Sequence, residues 1–131
     1  MTSMKISVLG AGAWGTALAI QAAGAGHQVC LWGRYAAAVA RMAQARRNEA
    51  YLPDSPFPER LAVSADFSHA VQHAAKGLTI IGTPMSGLRG TLEALPASQR
   101  VLWLCKGFEA GTGRLGHEIA RELQPQQRVG V

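Results

Sequence analysis

Three glycines in the spacing G-x-G-x-x-G, within Gly10-Ala11-Gly12-Ala13-Trp14-Gly15, stand between a short apolar run, Lys5-Ile6-Ser7-Val8-Leu9, and an alanine-rich stretch that reaches Gly24 and Gly26. No other feature of the chain constrains its folding as tightly. A brief apolar run stopped by glycine reads as a strand. Ala, Leu, Ile and Gln over 13–25 read as a helix closed by the two later glycines. A second apolar run, Gln28-Val29-Cys30-Leu31-Trp32, follows. The glycines therefore occupy a strand–turn–helix–strand unit, and each has a separate physical job there. Gly10 permits the tight turn out of the strand, Gly12 leaves the backbone bare for a pyrophosphate, and Gly15 lets the helix pack closely on the strand. Amide N–H groups of the first helical turn would face the phosphates, aided by the helix dipole. Thr16 is placed to add a hydroxyl donor.

The alternation continues along the chain. A helix is expected over 36–47, then an irregular loop over 48–58, which holds three prolines. Further strands are expected at 61–63, 78–82 and 101–105. Helices are expected from a cap at Ser64 or Asp66 to about 75, then over 86–95 and 113–123. Val129-Gly130-Val131 begins another apolar run. Because the strands are apolar on both faces, they suit a parallel sheet covered by helices on both sides. Right-handed crossovers then make the fold class α/β, a doubly wound, mostly parallel sheet of the Rossmann type. Since a buried parallel strand rarely ends after three residues, the expectation is that residues 1–131 form one domain of a longer protein.

Composition removes several other classes. At 48% apolar and 16% charged residues the 131-residue chain is globular rather than disordered. The net charge of +5 suits anionic ligands. The basic residues are scattered, with one small cluster at Arg41, Arg46 and Arg47 and no interleaved aromatics, which argues against nucleic acid. Residues 6–26 carry no formal charge, but five glycines interrupt them, so strand, turn and helix explain them better than a membrane span or targeting segment. Cys30 and Cys105 form no C-x-x-C pair and read as buried, reduced thiols, which suits the cytoplasm. His69 and His73 share a helix face without further ligands, so no metal site is expected. His27 and His117 carry no motif. Glu109 and Glu118 form no convincing acid–base pair, and no Ser-His-Asp or Cys-His constellation is present.

The end of the second strand bears on which dinucleotide is held. A carboxylate there would bind the ribose 2′-hydroxyl of NAD. The chain has Trp32-Gly33-Arg34-Tyr35 instead. Arg34 can pair with a 2′-phosphate and stack on adenine, which favours NADP while leaving NAD open. A flavin could use the same glycine turn. A methyltransferase loop would want an acidic residue near the first glycine, and none occurs. Trp14 is open to two readings, core residue or cofactor contact.

The segment from Gly10 to Ala19 resembles the start of bacterial NAD(P)-dependent glycerol-3-phosphate dehydrogenase. Four more segments are similar in order: Leu31-Trp32-Gly33-Arg34, the loop Asn48-Glu49-Ala50-Tyr51-Leu52-Pro53, the turn Thr83-Pro84, and Cys105-Lys106-Gly107-Phe108-Glu109. Together they span nearly the whole chain. The resemblance implies cofactor contacts at Ala13, Trp14 and Arg34, and a Lys106 that touches both cofactor and glycerol phosphate. A lysine after a strand, at the carboxyl edge where such sheets bind ligands, is chemically suited to that role. Ala13 stands where the family often has Ser, and Thr83-Pro84-Met85 where it has Val-Pro-Ser. The resemblance further implies interconversion of dihydroxyacetone phosphate, a phosphorylated three-carbon substrate, and sn-glycerol 3-phosphate, feeding phospholipid synthesis. It places the general-base lysine in a helical second domain beyond this chain, and leaves a homodimer open for the full-length protein. A nucleotide-sensing module without chemistry, or a related dehydrogenase for another small acid or phosphate, are the alternatives.

Overall fold

The computed structural model describes residues 3–104, 109–123 and 129–130. Among them, six strands alternate with five helices: β1 (Lys5–Leu9), α1 (Ala13–Gly24), β2 (Gln28–Trp32), α2 (Ala36–Ala45), β3 (Leu61–Ser64), α3 (Phe67–His73), β4 (Leu78–Ile81), α4 (Met85–Ala94), β5 (Val101–Trp103), α5 (Gly116–Leu123) and β6 (Val129–Gly130). The sheet order is β3-β2-β1-β4-β5-β6, and every pairing is parallel. The expected doubly wound, Rossmann-type sheet is therefore what forms. From β1 the chain first builds toward β3, then returns to build from β4 toward β6. Strand order thus reverses between β1 and β4, and the crevice at their carboxyl ends is where such sheets take ligands.

Alternate side chains of the strands supply two cores. Ile6, Val8, Val29 and Leu31 pack with Ala19, Ala23, Val39 and Met42 of α1 and α2. Leu9, Cys30, Ile81, Val101 and Trp103 pack with Ala70, Leu88, Leu92 and Ile119 of α3, α4 and α5. The polar residues buried within the strands are bonded: Ser7 Oγ donates to the Ala70 carbonyl (2.6 Å), and Thr79 Oγ1 accepts from Gln99 Nε2 (2.9 Å). Cys30 is a free, buried thiol, and burial pushes its pKa up to about 11. Cys105 lies outside the described residues.

Several boundaries differ from expectation. Helix α2 stops at Ala45 because Arg46 turns left-handed (φ 55°), its N–H bonding back to the Met42 carbonyl. The loop after it is ordered by its own contacts. Arg46 Nη2 donates to the Pro58 carbonyl, the Arg46 carbonyl accepts from Phe57 N–H, and the guanidinium lies over the Phe57 ring. Helix α5 starts at Gly116 rather than 113, since Gly111 and Gly113 both take positive φ. Of the two candidate caps of α3, Asp66 is the one used, accepting from His69 N–H, while Ser64 ends β3 and its Oγ accepts from Asp66 N–H. His73 is more than a surface residue, because its Nε2 bonds the Gln28 carbonyl at 3.0 Å.

Candidate functional site

β1 delivers the chain to Gly10 at the carboxyl edge of the sheet, in a backbone conformation (φ 121°) that L side chains rarely adopt. A Cβ there would sit 2.9 Å from the Gly82 carbonyl carbon, where β4 leaves the sheet. A Cβ on Gly15 would collide with the Gly10 carbonyl oxygen. Gly12 is different. It caps α1 in extended conformation, and a Cβ on it would meet nothing within 4 Å. The packing of the protein thus requires Gly10 and Gly15 but not Gly12. The bareness of Gly12 instead widens the groove that it lines.

The turn also sorts its polar groups. Gly10 N–H donates to the Trp32 carbonyl (2.9 Å). The Gly12 carbonyl accepts from Thr16 N–H (3.0 Å), and the Ala11 carbonyl accepts from Asn48 Nδ2 (2.9 Å). The N–H groups of Gly12, Ala13 and Trp14, at the start of α1, have no intrahelical carbonyl to bond. Two successive carbonyls of the turn are thus consumed within the protein, while the donors at the helix start are left over. That is the polarity an anion needs.

A groove of about 1220 Å³ runs over this edge, bounded by the glycine turn, the β2–α2 junction, the loop after α2, and the Gly82-Thr83-Pro84 turn. Among the described residues, Arg34, Arg41 and Arg47 line it against one carboxylate, Glu49. Among the described residues neither Arg34 nor Arg41 is in an ion pair. Arg34 lies over the Tyr35 ring, 5.8 Å from its centroid. Trp32 closes the end of β2 edge-on against Phe67, ring centroids 5.3 Å apart.

The structure brings Gly10, Gly12, Ala13, Trp14 and Arg34 to this one groove, with Gly15 beneath it. Trp14 is 80% exposed, so the reading of it as a core residue is wrong. Thr16 also needs correcting. It is fully buried, and its hydroxyl accepts from Asn48 Nδ2 at 3.0 Å, so it does not face a ligand. Lys106 lies outside the described residues. Its neighbour in the motif, Glu109, is described: Arg89 of α4 clasps it through two hydrogen bonds (2.7 and 2.9 Å), so it is structural rather than acid–base. Glu118 accepts from Leu115 N–H at the head of α5. No three His, Cys, Asp or Glu side chains gather as a metal site among the described residues. No helix among them is long and apolar enough to cross a membrane.

Sequence reasoning misses three groove residues. Asn48 is visible there only as part of a loop motif. Tyr51, in the same motif, is 59% exposed along the groove. Arg41 reads as part of a basic cluster, with no signal that α2 brings it to the groove beside the β2 junction.

Comparison with known proteins agrees with this geometry. Residues 5–131 match the family described as NAD-dependent glycerol-3-phosphate dehydrogenase N-terminus. The chain is 52% identical to glycerol-3-phosphate dehydrogenase [NAD(P)+] of Leptothrix cholodnii, over 98% of this chain and 41% of that protein. It is 53% identical to the Methylibium petroleiphilum protein of the same name, over 98% and 39%. The crystal structure of glycerol-3-phosphate dehydrogenase from Coxiella burnetii superposes with a TM-score of 0.84 at 31% identity, covering 97% of this chain and 39% of that one. The chain thus spans about two-fifths of the length of the relatives it matches.

Proposed function

We propose, since the chain belongs to the glycerol-3-phosphate dehydrogenase family and matches its N-terminal part, that residues 1–131 are the dinucleotide-binding domain of a cytoplasmic enzyme that interconverts dihydroxyacetone phosphate and sn-glycerol 3-phosphate for phospholipid synthesis. The cofactor is NADP or NAD. When bound, the nicotinamide supplies the hydride. The chain's own residues bind and orient. The N–H groups of Gly12, Ala13 and Trp14 hold the pyrophosphate, and Gly12 leaves room for it. Arg34 pairs with the 2′-phosphate of NADP, Trp14 bounds the groove, and Lys106 meets cofactor and substrate phosphate. The observation that carries this reading is the open space at Gly12, which nothing in the protein's own packing demands. The substrate-handling half, with its general base, belongs to the part of the relatives that this chain does not span.

The reading is tested by titrating NADPH and NADH into the 131-residue chain, then assaying dihydroxyacetone-phosphate-dependent NADPH oxidation. Binding without turnover is expected. Failure to bind either dinucleotide removes the reading, and turnover by this chain alone removes the assignment of the base to the other half.

A further inference from the structure

We propose that Asn48 is a positioning residue for the pyrophosphate turn, holding its backbone in the polarity that accepts an anion; this rests on the dinucleotide reading of the groove. Asn48 belongs to the loop between α2 and β3, and is only 4% exposed. Its own backbone carbonyl accepts from Leu52 N–H (2.8 Å), and the two residues form an isolated antiparallel bridge. The residue before it, Arg47, donates to the Pro53 carbonyl. The loop is therefore a closed unit, and Asn48 is where it meets the glycine turn.

Both hydrogens of the Asn48 amide are spent there. One goes to the Ala11 carbonyl and the other to Thr16 Oγ1, across 37 and 32 residues of chain. The first bond matters most. In a trans peptide the carbonyl and the following N–H point in opposite directions. Drawing the Ala11 carbonyl toward Asn48 turns the Gly12 N–H away from the loop. It also occupies the carbonyl next to the one that helix formation already uses, since the Gly12 carbonyl takes Thr16 N–H. The second bond fixes the first turn of α1 to the same anchor. Without Asn48, the Ala11–Gly12 peptide is free to rotate. Its carbonyl can then meet a phosphate, and like partial charges repel.

A role in the turn differs from a role in the general integrity of the groove, and ligands separate the two. NADPH and NADH both carry a pyrophosphate. Adenosine 2′-monophosphate carries the adenosine and the 2′-phosphate but no pyrophosphate. In Asn48→Ala, the Kd for NADPH and NADH should rise together by about tenfold, the scale of one hydrogen bond to a charged group. The Kd for adenosine 2′-monophosphate should stay within about twofold on the same scale. Thr16→Val keeps the shape of the buried side chain, removes only the second acceptor, and should move both dinucleotides the same way by a smaller factor. It serves if Asn48→Ala does not fold.

Equal weakening of all three ligands by either variant overturns the proposal, because that is loop collapse. Unchanged dinucleotide binding overturns it as well. If the unaltered chain binds none of the three, the reading of the groove fails first. If it binds all three and the variants behave otherwise than stated, only the role of Asn48 fails.

Discussion

Two strand-to-helix turns flank the groove, and they are built in opposite ways. At the β1–α1 turn, Gly10-Ala11-Gly12 presents bare backbone. The Ala11 and Gly12 carbonyls are bonded inward to Asn48 and Thr16, and the N–H groups that open α1 are left without intrahelical partners. At the β4–α4 turn, Gly82-Thr83-Pro84 presents side chains. Pro84 caps α4 and has no N–H to offer, while its carbonyl accepts from Gly87 N–H (2.9 Å). Both helices carry the same sign of dipole at this edge. Only the first has an N–H at its cap residue to offer an anion, since Gly12 carries one and Pro84 does not. The other serves as a wall, its Gly82 backbone pressed against Gly10. A helix start becomes a site through what the preceding turn does with its donors and acceptors, and the dipole alone does not decide.

The largest expected effect separates the turns by packing. Gly15→Ala should lower stability by about 3 kcal/mol or more, because backbone stands in the way of the new methyl and cannot yield cheaply. For a chain of this size that is a drop of roughly 10 °C in unfolding temperature. Gly87→Ala, at the other turn, brings a Cβ to 3.2 Å from Cβ and Oγ1 of Thr83, a tight contact rather than a collision with backbone. It should change the unfolding temperature far less. Equal losses in thermal melts would mean that the β1–α1 turn is no more tightly closed than its neighbour.

Gly12→Ala comes next and should invert that pattern. Nothing in the protein meets the added methyl, and the backbone is one that alanine accepts. Stability should therefore stay within about 1 kcal/mol. NADPH affinity, read by calorimetric titration, should fall by about tenfold or more, since the methyl stands where the ligand must approach. Unaltered affinity would mean that the space over Gly12 is not used.

Much of the fold is legible in the order of residues alone. Glycine spacing and apolar runs locate each strand and helix, because strand ends and helix starts are local events. The Rossmann-type order follows from strands apolar on both faces. What stays hidden is tertiary. Thr16 has a ligand-facing position in sequence, but burial and Asn48 assign its hydroxyl elsewhere. The end of α2 at Arg46 carries no glycine to announce it, since its left-handed turn is held by bonds to Phe57 and Pro58 a dozen residues on. Asn48 reaches partners more than thirty residues earlier, and no pattern of spacing states that distance.

A smaller effect should fall on one dinucleotide only. Arg34 lines the groove beyond the glycine turn and has no carboxylate partner among the described residues. Removing it in Arg34→Ala should weaken NADPH by roughly tenfold, the scale of a charge-assisted hydrogen bond, and NADH by much less. Equal losses would take the 2′-phosphate away from Arg34. They would leave the backbone turn as the source of affinity for both dinucleotides.

The smallest effect tests how the wall is held. Further along α4, Arg89 clasps Glu109 and also meets Glu122 (2.6 Å), which in turn pairs with Arg114 (3.2 Å). The hydrogen bond from Arg89, then that from Thr112, holds the Glu109 carboxyl down at about 2, below its ordinary 4.5. The Arg89 guanidinium is correspondingly pushed above its usual range, first by its bond to Glu109. A carboxyl with a depressed folded-state value stabilises fully above the unfolded value and loses that contribution as pH falls through the folded one. Comparing Arg89→Met with the unaltered chain should thus show a modest loss of unfolding temperature at neutral pH. That gap should narrow as pH drops from about 4.5 toward about 2. Solvent around these side chains screens the pair and keeps the effect small. A gap that stays constant across this range would assign the loss to the packing of the Arg89 stem, and the wall would then be held by apolar contact alone.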